Sequence, residues 1–204
     1  MAERNLFTGD SITDTCRVDV CQDMERYLGE LPLEQRQEQM DQVLGNGYPL
    51  LVASQLYAEF PGKYKVLNRG VSGNRIVDLD ARVKCDCINL KPDVVSIMIG
   101  INDVWHEVDW HNGVDAPKFE RVYDGMLEEI RAALPGVKFI LLEPYVLKGT
   151  GTQGKWDSFR RETDLRRDVV RRLAQKYQAA CIDSQALFDQ AAQRSCEADL
   201  SADG

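Results

Sequence analysis

The feature that most restricts the fold is a series of short, nearly continuous apolar runs separated by stretches of helical periodicity. Asp93-Val94-Val95-Ser96-Ile97-Met98-Ile99 is the plainest of these runs. It is short, rich in β-branched residues and without apolar–polar alternation, so it reads as a strand covered on both faces. Residues 137–142 have the same character after the turn signal Pro135-Gly136, and residues 65–68 follow Pro61-Gly62. Residues 5–8 and 180–183 complete a set of five strands. Between them, residues 48–60, 116–134 and 157–177 read as helices. In the second, Phe119, Val122, Tyr123, Met126, Leu127 and Ile130 stand at helical spacing. Strands alternating with helices imply βαβ units, hence a parallel sheet with helices on both faces. Residues 23–45, rich in Gln and Glu, read as one or two surface helices inserted after the first strand. With 204 residues and neither repeats nor low-complexity linkers, residues 1–204 form one domain.

Charge narrows the partners. Asp and Glu outnumber Lys and Arg 33 to 25, and the resulting −8 repels phosphate backbones, so no nucleic-acid partner is expected. Six arginines (Arg160, Arg161, Arg166, Arg167, Arg171 and Arg172) crowd one helix, where Glu162, Asp164 and Asp168 balance them; they read as its solvated face. No apolar run approaches the ~20 residues that span a bilayer, so membrane insertion is not expected. The N-terminus lacks the apolar stretch of a secretory signal, and the expected location is cytoplasmic. Cys85 and Cys87 are too close together for a zinc knuckle, and the two histidines, His106 and His111, lie far in sequence from any cysteine. No metal or cofactor is expected, and the six cysteines read as reduced, mostly buried thiols.

In parallel sheets of this kind, ligands bind beyond the carboxyl ends of the strands. The first strand is followed by Gly9-Asp10-Ser11-Ile12-Thr13-Asp14. The second runs into Asn68-Arg69-Gly70-Val71-Ser72-Gly73-Asn74-Arg75, and the third into Gly100-Ile101-Asn102-Asp103. Each end supplies glycine plus short polar side chains, which allow backbone amides and small groups to converge on one ligand atom.

These three blocks, in this order, resemble those of the SGNH (GDSL-type) esterase and lipase hydrolases, in the version found in acetylxylan-esterase-like members. The resemblance covers the chain from about Leu6 onward. It implies a flavodoxin-like α/β/α sandwich with a five-stranded parallel sheet in the order 2-1-3-4-5. It makes Ser11 the nucleophile and gives the oxyanion hole to the Ser11 amide, the Gly73 amide and the Asn102 side chain. The family's last block is Asp-x-x-His. Asp203 matches its aspartate, and the histidine falls two positions past Gly204, so the block is expected to be cut off here together with the closing helix.

The residue types suit the chemistry without the analogy. A hydroxyl attacking an ester turns the carbonyl oxygen into an anion, which fixed N–H donors stabilise. The plain alternatives are that Ser11 caps a helix, that Asn102-Asp103 makes an Asx-turn and that Gly73 serves a tight turn. Asp10 reads as a hydrogen-bonding partner within its turn, and Asp10, His106, Glu143 and Trp156 are the candidates for contact with substrate. His106 and His111 are expected on the loop after the third strand. Trp105, Trp110 and Trp156 around a polar cleft would suit a sugar ring, or they simply pack loops. The expected substrate is a small acyl ester, an acetylated carbohydrate first. A lysophospholipase or an acyl thioester hydrolase would use the same machinery. A non-catalytic binding module is the reading from another class. A flavin or nucleotide binder is disfavoured, since Asp10 stands where a phosphate would sit and no phosphate-binding glycine motif is present.

Overall fold

The computed structural model describes residues 2–17, 32, 35 and 39–204. Five parallel strands form one sheet in the order β2-β1-β3-β4-β5, with β1 Glu3–Gly9, β2 Tyr64–Gly70, β3 Val94–Met98, β4 Lys138–Leu142 and β5 Ala180–Ile182. All five lie where the apolar runs predict them. Side chains alternate across the sheet, so Leu6 enters the main core while its neighbour Phe7 joins a second cluster with Leu44, Ala53 and Val66.

The helices between strands are α1 Ser11–Asp14, α2 Tyr48–Glu59, α3 Ile76–Ala81, α4 Val83–Asp86, α5 Ile101–Trp110, α6 Ala116–Ala133 and α7 Trp156–Tyr177; α8 Ser184–Ala192 and α9 Glu197–Leu200 follow β5. α2, α6 and α7 match the expected spans to within a residue. The helices predicted for residues 23–45 fall largely outside the described residues. Phe119, Tyr123, Met126, Leu127 and Ile130 of α6 and Val169, Val170 and Leu173 of α7 fill the main core against Leu6, Val95, Ile97 and Leu141.

Two expectations are corrected. The arginines of α7 are not all solvated: Arg166 is 0% exposed and Arg167 is also buried. Arg166 donates to the Val114 carbonyl at 2.6 Å, while Arg167 and Arg171 clasp the buried Glu143 at 2.9 and 2.7 Å. Among the described residues the five thiols are free but mostly exposed, Cys16, Cys85, Cys181 and Cys196 at the surface and Cys87 buried.

What positions the site is the register. Gly9 pairs with Gly70 and with Met98, Met98 with Leu142, and Leu142 with Ile182. One straight row therefore crosses all five strands at their carboxyl ends, and the three sequence blocks leave the sheet side by side. Gly9 is required there: its φ is +152°, and a Cβ would run into the Met98 carbonyl and the Thr13 side chain.

Candidate active site

Beyond Gly9 the chain turns directly into α1. Asp10 caps it, its carboxylate accepting from Ile12 N–H at 3.0 Å and its carbonyl from Thr13 and Asp14 N–H at 3.1 and 2.9 Å. This leaves Ser11 exposed on the first helical position. The plain capping role thus belongs to Asp10. Beyond β2, the loop carries Gly73 in the left-handed region at φ +80°, a conformation that any other L-residue enters at a cost of roughly 1–2 kcal/mol. Neither the Ser11 nor the Gly73 N–H has a hydrogen-bond partner among the described residues. Beyond β3, Gly100 leads into α5, whose first turn presents Asn102. One N–H of its amide is given to the Asn74 carbonyl at 3.2 Å, which orients the group and leaves the second N–H for a ligand.

The fourth component arrives from the far end of the chain. The segment from Glu143 to Thr152 holds residues 202–204: Thr150 N–H donates to the Ala202 carbonyl at 3.1 Å and Gly151 N–H to the Asp203 carbonyl at 3.0 Å. A Cβ on Gly149 would overlap the Asp203 backbone, so glycine is needed for this close approach. Asp203 accepts from Ser201 Oγ at 3.1 Å. Ser11, Gly73, Asn102 and Asp203 all line one cleft of about 290 Å³, together with Trp105, His106, Trp110 and Tyr145.

His106 stands on α5 rather than on a loop, and His111 caps the end of that helix in the left-handed conformation. The signal for this helix is in the sequence: Ile101, Val104, Trp105 and Val108 have helical spacing. His106 meets Trp110 edge-to-face at 4.7 Å, and burial followed by the Arg75 charge holds its imidazole below the ordinary pKa. Trp110 is 63% exposed at the rim, whereas Trp105 packs edge-on against Phe159. Of the four candidate substrate contacts, only His106 lines the cleft. Asp10 is buried beneath it as a cap, Glu143 is engaged with Arg167 and Arg171, and Trp156 packs beside Phe159 with Lys148 over its ring. Tyr145, stacked on Phe188 at 4.0 Å, is a cleft residue that the sequence reading did not single out. Among the described residues, no group of three or more His, Cys, Asp or Glu side chains is placed to hold a metal, and no helix is long and apolar enough to cross a membrane.

Two buried acids underlie the cleft. Burial pushes the Asp10 carboxyl up to about 7. The Asp103 carboxyl is pushed up to about 8, again by burial, with hydrogen bonding from Ile76 and the Arg166 charge acting against it and the Asp10 charge reinforcing it. The folded state therefore holds protons that the unfolded chain, with ordinary carboxyls, has released. Stability contributed by these groups is lost as pH rises from about 4 to about 8. Asp103→Asn, neutral throughout and still able to accept from Ile76 N–H, should flatten the decline of Tm between pH 5 and 8. Equal slopes for parent and variant would contradict this assignment.

Fold and cleft together define a class, an α/β/α hydrolase with a serine presented at the carboxyl edge of its sheet. The GDSL-like lipase/acylhydrolase family matches the chain over residues 7–203. An acetylxylan esterase from Geobacillus stearothermophilus is 35% identical over 193 residues, covering 92% of this chain and 78% of the relative. The crystal structure of Axe2, an acetylxylan esterase from that organism, superposes with a TM-score of 0.78 at 32% identity over 98% of this chain and 84% of its own. A GDSL-like lipase from Parabacteroides merdae superposes with a TM-score of 0.82 at 29% identity, covering 99% and 86%. Structures of Axe2 catalytic mutants replace a serine, an aspartate or a histidine by alanine. The chain belongs to the GDSL-like lipase/acylhydrolase family and is a carboxylic ester hydrolase.

Proposed function

We propose that the protein removes acetyl groups from carbohydrate esters through an acyl-enzyme on Ser11. The observation that carries this reading is the convergence of Ser11, Gly73, Asn102 and Asp203, from four separate parts of the chain, on one small cleft. Ser11 Oγ attacks the ester carbonyl carbon and the carbonyl electron pair moves onto oxygen. The Ser11 and Gly73 N–H groups and the Asn102 amide receive that oxyanion, each such donor being worth ~3–4 kcal/mol in comparable enzymes. An imidazole takes the hydroxyl proton and returns it to the departing sugar oxygen, and Asp203 orients that imidazole. In the family pattern the histidine stands three positions after this aspartate. Water then repeats the sequence on the acetyl-enzyme and releases acetate.

Two features favour a small acyl group on a sugar. The cleft, at about 290 Å³, lies at the lower end of the range for ligand pockets, which favours a short acyl group. Its rim carries the exposed Trp110 beside His106, an apolar face with a polar neighbour, suited to the C–H face of a pyranose. On p-nitrophenyl esters, kcat/KM is expected to be highest for acetate and to fall steadily towards octanoate. An optimum at eight carbons or more would overturn the acetyl assignment and favour a lysophospholipase-like activity. Binding of acetylated sugars without Ser11-dependent turnover would favour the non-catalytic module.

A further inference from the structure

The loop that carries Gly73 is fastened on both sides by buried carboxyl groups, one from each of the other two strand-end motifs. On its leading side Asp14, the last residue of α1 and 3% exposed, accepts from the Ser72 N–H at 3.2 Å and from Ser72 Oγ at 2.7 Å. On its trailing side Asp103, 0% exposed on α5, accepts from the Ile76 N–H through both oxygens, at 3.1 and 3.2 Å. Gly73 itself has no such support. A Cβ at its position would meet nothing within 4 Å, so Gly73 faces open space on that side, and its neighbours in the loop carry the hydrogen bonds that hold it. The two arms also start from informative places. α1 bears Ser11 three positions before Asp14, and α5 bears Asn102 immediately before Asp103. Neither Asp14 nor Asp103 lines the cleft.

We propose that Asp14 and Asp103 are positioning residues that clamp the Gly73 loop to α1 and α5, so that the Gly73 N–H points at the same spot as the Ser11 N–H and the Asn102 amide. The inference rests on the reading of these three groups as oxyanion donors. Each arm ties Gly73 to an element that already carries one of the other donors, so the three are fixed relative to one another rather than each to the sheet alone. Misplacement by about 1 Å of a group that must meet the transition state can cost on the order of 10²-fold in rate, which is what such a clamp prevents.

The test combines a local readout with kinetics. The ¹⁵N order parameter of Gly73 should be about 0.85 in the parent and fall below about 0.6 in Asp103→Ala, while Asp103→Asn, which retains an acceptor for Ile76, stays near the parent value. Ser72→Ala removes one bond to Asp14 at an exposed position and keeps the Ser72 N–H bond, so its Tm should fall by no more than about 5 °C and the chain should still fold. Its Gly73 order parameter should nevertheless fall, and it decides the matter if Asp103→Ala does not fold. With p-nitrophenyl acetate, the loosened variants should lose about ten-fold or more in kcat with KM within about two-fold, the pattern of an interaction made only in the transition state. A Gly73 order parameter already below about 0.6 in the parent would overturn the clamp, as would one unmoved by Ser72→Ala. Undiminished turnover in Ser11→Ala would overturn the oxyanion reading instead, and the order parameters would still decide whether the loop is clamped.

Discussion

Replacing Ser11 by alanine, in protein that carries the histidine three positions after Asp203, is expected to abolish hydrolysis of p-nitrophenyl acetate, with a loss on the order of 10⁶ in kcat, the size of effect that follows removal of the nucleophile in a serine protease. Ser11 is exposed and its side chain makes no hydrogen bond among the described residues, so the substitution removes a reactive group and little else. Tm should therefore be unchanged. The capping bond from Ile12 N–H goes to Asp10 rather than to Ser11, and α1 keeps its start. A drop in activity accompanied by a comparable drop in Tm would point to a structural role for Ser11 instead.

Glu143→Ala should produce the largest change in stability. Glu143 is 2% exposed and is the common partner of Arg167, itself buried, and of Arg171. Removing one side of a buried ion pair leaves a charge without compensation in a low dielectric, at a cost of about 3–5 kcal/mol. For a chain of this length that lowers Tm on the order of 10 °C. Asp164 and Asp183 also bind Arg167, at 2.6 and 3.0 Å, and hold the loss towards the lower end. Thermal unfolding of parent and variant checks this, and a shift under about 2 °C would show that those two carboxylates alone satisfy the arginine. The same network explains why Glu143 is not a cleft residue: it stands at the end of β4, but its carboxylate is drawn away to α7.

These details show which parts of the molecule are legible in its residues. The strands are, because a strand buried on both faces must be almost continuously apolar, as residues 94–99 are apart from Ser96. The parallel sheet follows from the alternation of strands with helices, and its strand order from the family resemblance. The long helices α6 and α7 are legible from their apolar stripes. α5 is not read as a helix because its polar residues, Asn102, Asp103, His106, Glu107 and Asp109, draw attention from the stripe of Ile101, Val104, Trp105 and Val108. The fates of the α7 arginines are hidden for a different reason. Charge alone does not tell a solvated guanidinium from one whose partner lies 24 residues away, as Glu143 does from Arg167. The site divides in the same way. Ser11, Gly73 and Asn102 stand at strand ends, where composition marks them. The partners of the Gly73 loop, Asp14 with Ser72 and Asp103 with Ile76, are contacts across the sheet edge that only the folded chain reveals.

The central claim is that the hydroxyl of Ser11 attacks an acyl centre within the cleft. Its most direct test is treatment with an alkyl fluorophosphonate followed by intact-mass and peptide mass spectrometry. Attack of Ser11 Oγ on phosphorus expels fluoride and leaves a stable phosphonyl ester in the geometry of the tetrahedral intermediate. The predicted result is one adduct per chain, located on the peptide that contains Ser11, absent from Ser11→Ala and formed in step with the loss of esterase activity. An adduct on another residue, or full esterase activity in protein whose Ser11 carries the label, would contradict the account.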